Sequence, residues 1–252
     1  MHFYIIRHGR RLDEYPGSVR VYNTPLSDIG HQQAEALAEW LGGRRLHAIY
    51  SSCMLRAIQT ALPLQRKTGL PLQIWPVLCE SIVDTWQEKM NKHPEDVLVP
   101  KSWYGGVPYN EEEALEEKRA KEEDYHFLSE FPSRFPSSQL TQPFPWAEAW
   151  WKPLERETRE EGFARAELAG QALLSRHRDD EYVAVICHGN LGDKLLRYLL
   201  GLDRFQYRCF SMDETAVSWV EVTERGLRLM HTINSLEHLP AHLQPEWRTA
   251  GF

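Results

Sequence analysis

The chain has 252 residues, 42% hydrophobic and 26% charged, with 29 Lys and Arg against 36 Asp and Glu, for a formal charge of −7. That length suits one sizeable core, read here as a single domain over residues 1–252 carrying an insertion. No apolar run approaches the ~20 residues of a membrane-crossing helix, and the acidic balance offers no general attraction for nucleic-acid backbones.

The apolar residues Phe3 to Ile6 read as a strand. No basic segment precedes them and the run ends at Arg7, so a signal peptide is not expected and cytoplasmic residence is. "PLSDIGHQQAEALAEWLGG" then reads as a helix, capped by Ser27 or Asp28 and closed by Gly42 and Gly43, with Ala34, Leu37, Ala38 and Leu41 as its buried stripe. "HAIYSS" is a second short strand. In "CMLRAIQTALPLQ" the residues Leu55, Ile58, Ala61 and Leu62 fall at helical spacing, and Pro63 is expected to kink or end that helix. "LQIWPVL" reads as a third strand, after which regular alternation disappears for about seventy residues, beyond the usual connection length.

Within that region 111–124 is acid-rich and reads as a solvated helix, whereas 131–151 mixes prolines with phenylalanines and tryptophans and is expected to pack on something. Regular structure returns with a long helix around Arg156 to Arg178. The apolar strand "YVAVIC" follows, then "HGNLGDKLLRYLLG" as a turn and helix, and two closing strands joined at Glu224, Arg225 and Gly226. Strands alternating with helices predict an α/β three-layer sandwich with a mainly parallel sheet, helices on both faces, and a cap inserted at about 81–155. Cys53, Cys79, Cys187 and Cys209 stand far apart in sequence with no C-x-x-C pair, which predicts reduced structural thiols rather than disulfides or a zinc site.

In an open parallel sheet ligands sit beyond the carboxyl ends of the strands. The first strand ends on Arg7, His8 and Gly9; the second runs into Ser51 and Ser52, with Arg56 one turn into the next helix; "YVAVIC" ends on His188, Gly189 and Asn190. Guanidinium groups match phosphoryl oxygens with paired, charge-assisted hydrogen bonds, and neutral imidazole is nucleophilic and titratable near neutrality. Arg7, His8, Arg56 and His188 therefore predict a phosphate pocket. Its partner would be a small phosphorylated substrate, or a phosphate or sulfate anion.

With "RHG" closing the first strand, "PLSDIGHQQA", "YSSCMLRAIQTA" and "VICHGN" follow in an order and spacing that resemble the successive motifs of the histidine phosphatase superfamily, the phosphoglycerate-mutase-like family. The resemblance covers residues 3–62, the region near Glu80, and 182–201. It implies that His8 is a nucleophile forming a phosphohistidine, that Arg7, Arg56 and His188 hold the transferring oxygens, and that no metal or cofactor is required. In the family the general acid often stands in a Leu-x-Glu stretch with tryptophan six positions later; Leu78, Glu80 and Trp86 keep that arrangement, with Asp84 as the rival acid.

Departures narrow the activity. Mutases of the family look like R-H-G-E-S-x-W-N, but here Arg10, Arg11, Leu12 and Asp13 follow "RHG". That spacing is similar to a subgroup including the suppressor-of-T-cell-receptor-signalling phosphatases, and it makes Arg10 and Arg11 candidates for substrate binding or for an ordinary solvated pair. The expectation is a metal-independent phosphomonoesterase; the alternatives are a phosphoglycerate-type mutase and a phospho-ligand-binding protein without turnover. The aromatic part of the insertion reads as a lid over the pocket, or as a surface through which the chain forms homo-oligomers.

Overall fold

Every second residue of the first and fifth strands turns to the same face of the sheet, and both faces are buried. In the computed structural model, which describes residues 1–12, 23–80, 138–140, 159–203 and 209–246, β1 spans His2–Arg7 and β5 spans Tyr182–Cys187. Phe3, Ile5, Val183, Val185 and Cys187 join one apolar cluster, while Tyr4, Ile6, Ala184 and Ile186 join the other. Two-sided burial removes the polar positions that a half-exposed strand would show, so these strands read as continuous apolar runs. Each fully buried aliphatic side chain contributes on the order of 1.5–3 kcal/mol.

Helices α1 (Asp28–Gly42) and α2 (Leu55–Thr68) cover one face, and α3 (Arg159–Arg176) and α4 (Gly189–Leu200) the other. With β2 (Ala48–Ser51), β3 (Leu72–Ile74), β4 (Ser138–Leu140), β6 (Val217–Val222) and β7 (Arg228–Ser235), the sheet order is β4-β3-β2-β5-β1-β6-β7. The pairs from β4 through to β1 are parallel, and β1/β6 and β6/β7 are antiparallel. The three-layer sandwich with a mainly parallel sheet is therefore as expected. Apart from the backbone of β4, the segment expected to form the cap, including 111–124, 131–151 and Asp84, lies outside the described residues.

Two expectations need correction. Pro63, expected to kink or end the helix, does not end α2, which continues to Thr68 and stops at Gly69 with φ +72°. Leu64, just beyond the proline, is buried in the same cluster as Ile58 and Ala61, so packing on the sheet and α1 offsets the hydrogen bond that proline cannot make. The third strand is shorter than "LQIWPVL", ending at Ile74. Pro76 has no N–H for a sheet ladder and instead opens a 3-10 turn, Pro76–Leu78, that carries the chain on to Glu80.

Helix starts fix the loops that matter. Ser27, rather than Asp28, caps α1: its Oγ accepts from Gly30 N at 3.1 Å, leaving Asp28 as a first-turn acid on the helix dipole. Helix α2 is capped from outside itself, Asn23 Oδ1 accepting from Leu55 N at 2.8 Å. The loop after β1 lies directly on the first turn of α1. A Cβ on Gly9 would stand 2.8 Å from the Gly30 carbonyl oxygen, and one on Gly30 would overlap the Arg10 carbonyl. Gly30→Ala tests this contact by its sign. Helix propensity alone would favour Ala by about 1 kcal/mol, yet overlap with backbone costs about 1–3 kcal/mol or more. Urea unfolding is expected to show net destabilisation.

Candidate active site

The register of three adjacent strands sets the site. Arg7 pairs with Cys187, so His8 and His188 leave the sheet side by side, while Ser51 pairs with Ile186, so Ser52 leaves one residue earlier, level with Cys187. The ladder extends one step further, His8 N donating to Cys187 O at 3.0 Å and Ser52 N to Ile186 O at 2.9 Å. Both imidazoles are buried, and their ring centroids lie 5.1 Å apart.

His8 is held in one tautomer. Its Nδ1 lies 2.7 Å from Gly9 O, and since a carbonyl only accepts, Nδ1 carries the proton and Nε2 the lone pair. Burial, then the guanidiniums of Arg56 and Arg7, hold its pKa well below the usual histidine value, with Arg11 adding to the same effect. His188 is lowered in the same way, by burial first and then by Arg56, His8, Arg165 and Arg7. Two neutral imidazoles thus sit among fixed positive charges. His188 Nε2 is 2.8 Å from Ser52 Oγ, while its Nδ1 is buried and meets no hydrogen-bond partner among the described residues. Such an orphaned buried nitrogen points to a ligand.

Arg56 is buried in the first turn of α2 and Thr60 lies one turn on; Thr60 Oγ1 donates to Arg56 O at 2.7 Å and accepts from Gly9 N at 3.0 Å. This hydroxyl ties the helix carrying Arg56 to the loop carrying His8. Arg7 donates through Nη1 to Met212 O at 2.9 Å and lies 3.6 Å from Glu214 Oε1. Arg10 is anchored through its backbone: its N–H donates to Gln33 Oε1 at 2.8 Å and its carbonyl accepts from Ser27 N at 2.9 Å. Arg11 forms an isolated bridge with Leu26.

Glu80 reaches the start of α4 next to His188, where its carboxylate accepts from Leu191 N at 3.2 Å and Asn190 N at 3.4 Å. The structure therefore brings Arg7, His8, Arg56, His188 and Glu80 to one end of the sheet. Cys187, immediately before His188, turns into the core, and its thiol pKa is pushed up by burial and then by Glu80.

Several residues of the site are absent from the sequence-based reading. Glu214 and Thr215 belong to the turn leading into β6; Thr215 N donates to the carbonyls of Arg7 at 3.1 Å and His8 at 3.3 Å, with Thr215 in the left-handed region at φ 55°. The signal was available in principle, because a strand antiparallel to β1 must begin where β1 ends. Arg165, on α3, carried no comparable signal. Its Nη1 donates to Val77 O at 2.9 Å and Cys79 O at 2.7 Å, and its Nη2 to Glu80 O at 3.2 Å, clamping the backbone that carries Glu80. Arg165→Ala is expected to lower kcat about 10-fold or more with little change in KM, since misplacing a catalytic group by about 1 Å can cost 10²-fold. Steady-state kinetics on any turned-over ester reads the split.

Comparison with known proteins agrees with this arrangement. A family model described as histidine phosphatase superfamily (branch 1) matches residues 3–124 and 104–235. Glucosyl-3-phosphoglycerate phosphatase of Mycolicibacterium vanbaalenii is 38% identical over 86 residues, 33% of this chain and 37% of that protein, so the match spans little more than a third of the relative's length. Among solved structures, a mycobacterial glucosyl-3-phosphoglycerate phosphatase in complex with inorganic phosphate superposes with a TM-score of 0.59 at 22% identity, over 95% of this chain and 99% of that one. Phosphoserine phosphatase from Entamoeba histolytica, in complex with 3-phosphoglyceric acid, gives the same TM-score at 18% identity over 95% and 99% of the two chains. The strand-end histidines and arginines, the sheet order and the family match coincide: this chain belongs to the histidine phosphatase superfamily.

Proposed function

We propose that the protein is a metal-independent phosphomonoesterase that works through a phosphohistidine on His8. The observation that carries this reading is the hydrogen bond from His8 Nδ1 to Gly9 O, which aims an unprotonated Nε2 into a site bearing two guanidiniums. A neutral nucleophile beside fixed cations is what transfer of an anionic phosphoryl group needs, because charge on the equatorial oxygens is met by donors already in place.

In the first step His8 Nε2 bonds to phosphorus as the ester P–O bond breaks. Arg7, Arg56 and the Nδ1 side of His188 hold the non-bridging oxygens. Glu80 gives its proton to the departing alkoxide. In the second step the same carboxylate takes a proton from water, water oxygen bonds to phosphorus, and the P–N bond breaks to return neutral His8 and inorganic phosphate. Guanidinium charge takes the place that a divalent ion holds in many phosphoryl-transfer enzymes, which supports turnover in the presence of chelator. Relatives named for glucosyl-3-phosphoglycerate and phosphoserine direct the first substrate panel to small phosphorylated metabolites.

His8→Ala is expected to lower turnover at least about 10³-fold, as removal of a covalent nucleophile does elsewhere, while EDTA leaves the wild-type rate unchanged. Steady phosphate release separates a hydrolase from a mutase, which returns phosphate to a second hydroxyl. Tight phosphate binding with no release on any ester would overturn the reading. The pH profile gives a second test. Since the His8 pKa is depressed, the neutral nucleophile persists below the ordinary value of 6.5, so the acid limb of kcat/KM is expected below that pH. Arg56→Gln removes one of the depressing charges and is expected to move that limb upward as it lowers the rate.

A further inference from the structure

Cys53 and Cys79 are distant in sequence but meet in the fold: their Sγ atoms lie 3.1 Å apart, with both residues buried in the cluster beneath α1 and α2. Each is next in sequence to a residue of the site, Cys53 to Ser52 and Cys79 to Glu80. They are also linked to it through space. Ser52 Oγ, which is 2.8 Å from His188 Nε2, lies 3.5 Å from Cys79 Sγ. Cys79 O is gripped by Arg165 at 2.7 Å. The pair therefore sits directly behind the proposed pocket; both thiols are free, as expected from the sequence, but they lie in contact.

We propose that Cys53 and Cys79 are a site of reversible oxidative modification, closing to an intramolecular disulfide on reaction with a hydroperoxide and thereby disabling the phosphate pocket. The functional half of this proposal rests on the phosphatase reading above. A disulfide requires sulfurs about 2.05 Å apart, so roughly 1 Å of movement closes the bond. The contact with Cys53, helped by the Ser52 hydroxyl and the Arg165 guanidinium, brings the Cys79 thiol down to about 7 against the upward push of burial, which makes it the attacking sulfur.

Cys79 thiolate attacks one peroxide oxygen; the O–O bond breaks, hydroxide leaves, and a sulfenic acid forms. The Cys53 sulfur, losing its proton, then attacks Cys79 sulfur; the S–O bond breaks and hydroxide leaves. In sum, two thiols and one hydrogen peroxide become one disulfide and two waters, an organic hydroperoxide giving one alcohol in place of one water, with both sulfurs oxidised and the peroxide reduced. A dithiol reductant reverses the step by exchange. Closing the bond moves residues next in sequence to Ser52 and Glu80, and Cys79 Sγ is itself in contact with Ser52 Oγ, so it disturbs the contacts that position the acid and His188. Cys187, turned into the opposite cluster, is out of reach of the pair.

The test treats reduced protein with hydrogen peroxide and follows intact mass, a non-reducing peptide map and phosphatase rate together. Expected are a loss of two hydrogens, a peptide joining Cys53 to Cys79, and a fall in rate of about 10²-fold, the cost typical of a 1 Å displacement at a reacting centre. Dithiothreitol is expected to restore the rate, and Cys53→Ser to keep its rate under peroxide. If that variant fails to fold, the wild-type peptide map and dithiothreitol rescue carry the test. Absence of the Cys53–Cys79 peptide overturns the proposal, as does a crosslinked protein of undiminished rate or a Cys53→Ser protein inactivated equally. If no ester is turned over, the affinity of the reduced and crosslinked forms for inorganic phosphate replaces the rate; equal affinities overturn the proposal, while the failed turnover counts separately against the phosphatase reading.

Discussion

Everything at the site depends on one insertion in the sheet: β5 enters between β1 and β2, and the three strands end within one residue of one another. Hydrogen-bonded strands are about 4.8 Å apart. Residues that leave adjacent strands at matching positions are therefore forced into contact whatever their charge, and the ring separation of 5.1 Å between His8 and His188 reflects this spacing. Rigid parallel pairing, buried on both faces, supplies the precision that a loop could not.

That enforced closeness has an electrostatic result. Imidazoles packed against guanidiniums in a dry interior shed their protons, and burial acts in the same direction. The fold keeps its positive charge on arginine, which does not titrate in the relevant range, and keeps its histidines neutral. Helix α4 contributes in the same place, since its first N–H groups hold the Glu80 carboxylate beside His188. Arg7 is steadied by a carbonyl and by Glu214, so the cationic wall is built as well as crowded.

Much of this could be read from the sequence, for a physical reason. Strands with two buried faces are apolar throughout and end abruptly where polar residues begin, so "FYIIRHG" and "YVAVICHG" mark both the strand ends and the site. The helix α1 was equally plain, because its apolar stripe is a local feature, although the sequence left its cap between Ser27 and Asp28. What escaped were effects of neighbours. Pro63 forbids a helix only when packing does not compensate, and Leu64 supplies that packing. Arg165, Thr60 and Glu214 act on backbone groups or on residues from remote segments, and no periodicity marks such contacts. The same holds for Asn23, whose Oδ1 accepts from Leu55 N in a separate segment.

The long-range ties also bear on when the pocket comes into being. Gln33 accepts from Arg10 N with one end of its amide and donates to Leu243 O, 210 residues away in sequence, with the other; the ammonium of Met1 donates to Val222 O. Strand β1 thus acquires one parallel neighbour from 182–187 and one antiparallel neighbour from 217–222, both far along the chain. The segment carrying "RHG" has no walls of its own, because the groups that enclose His8 come from distant parts of the chain. Long loops must therefore close before any enclosed pocket exists, which puts its assembly late in folding.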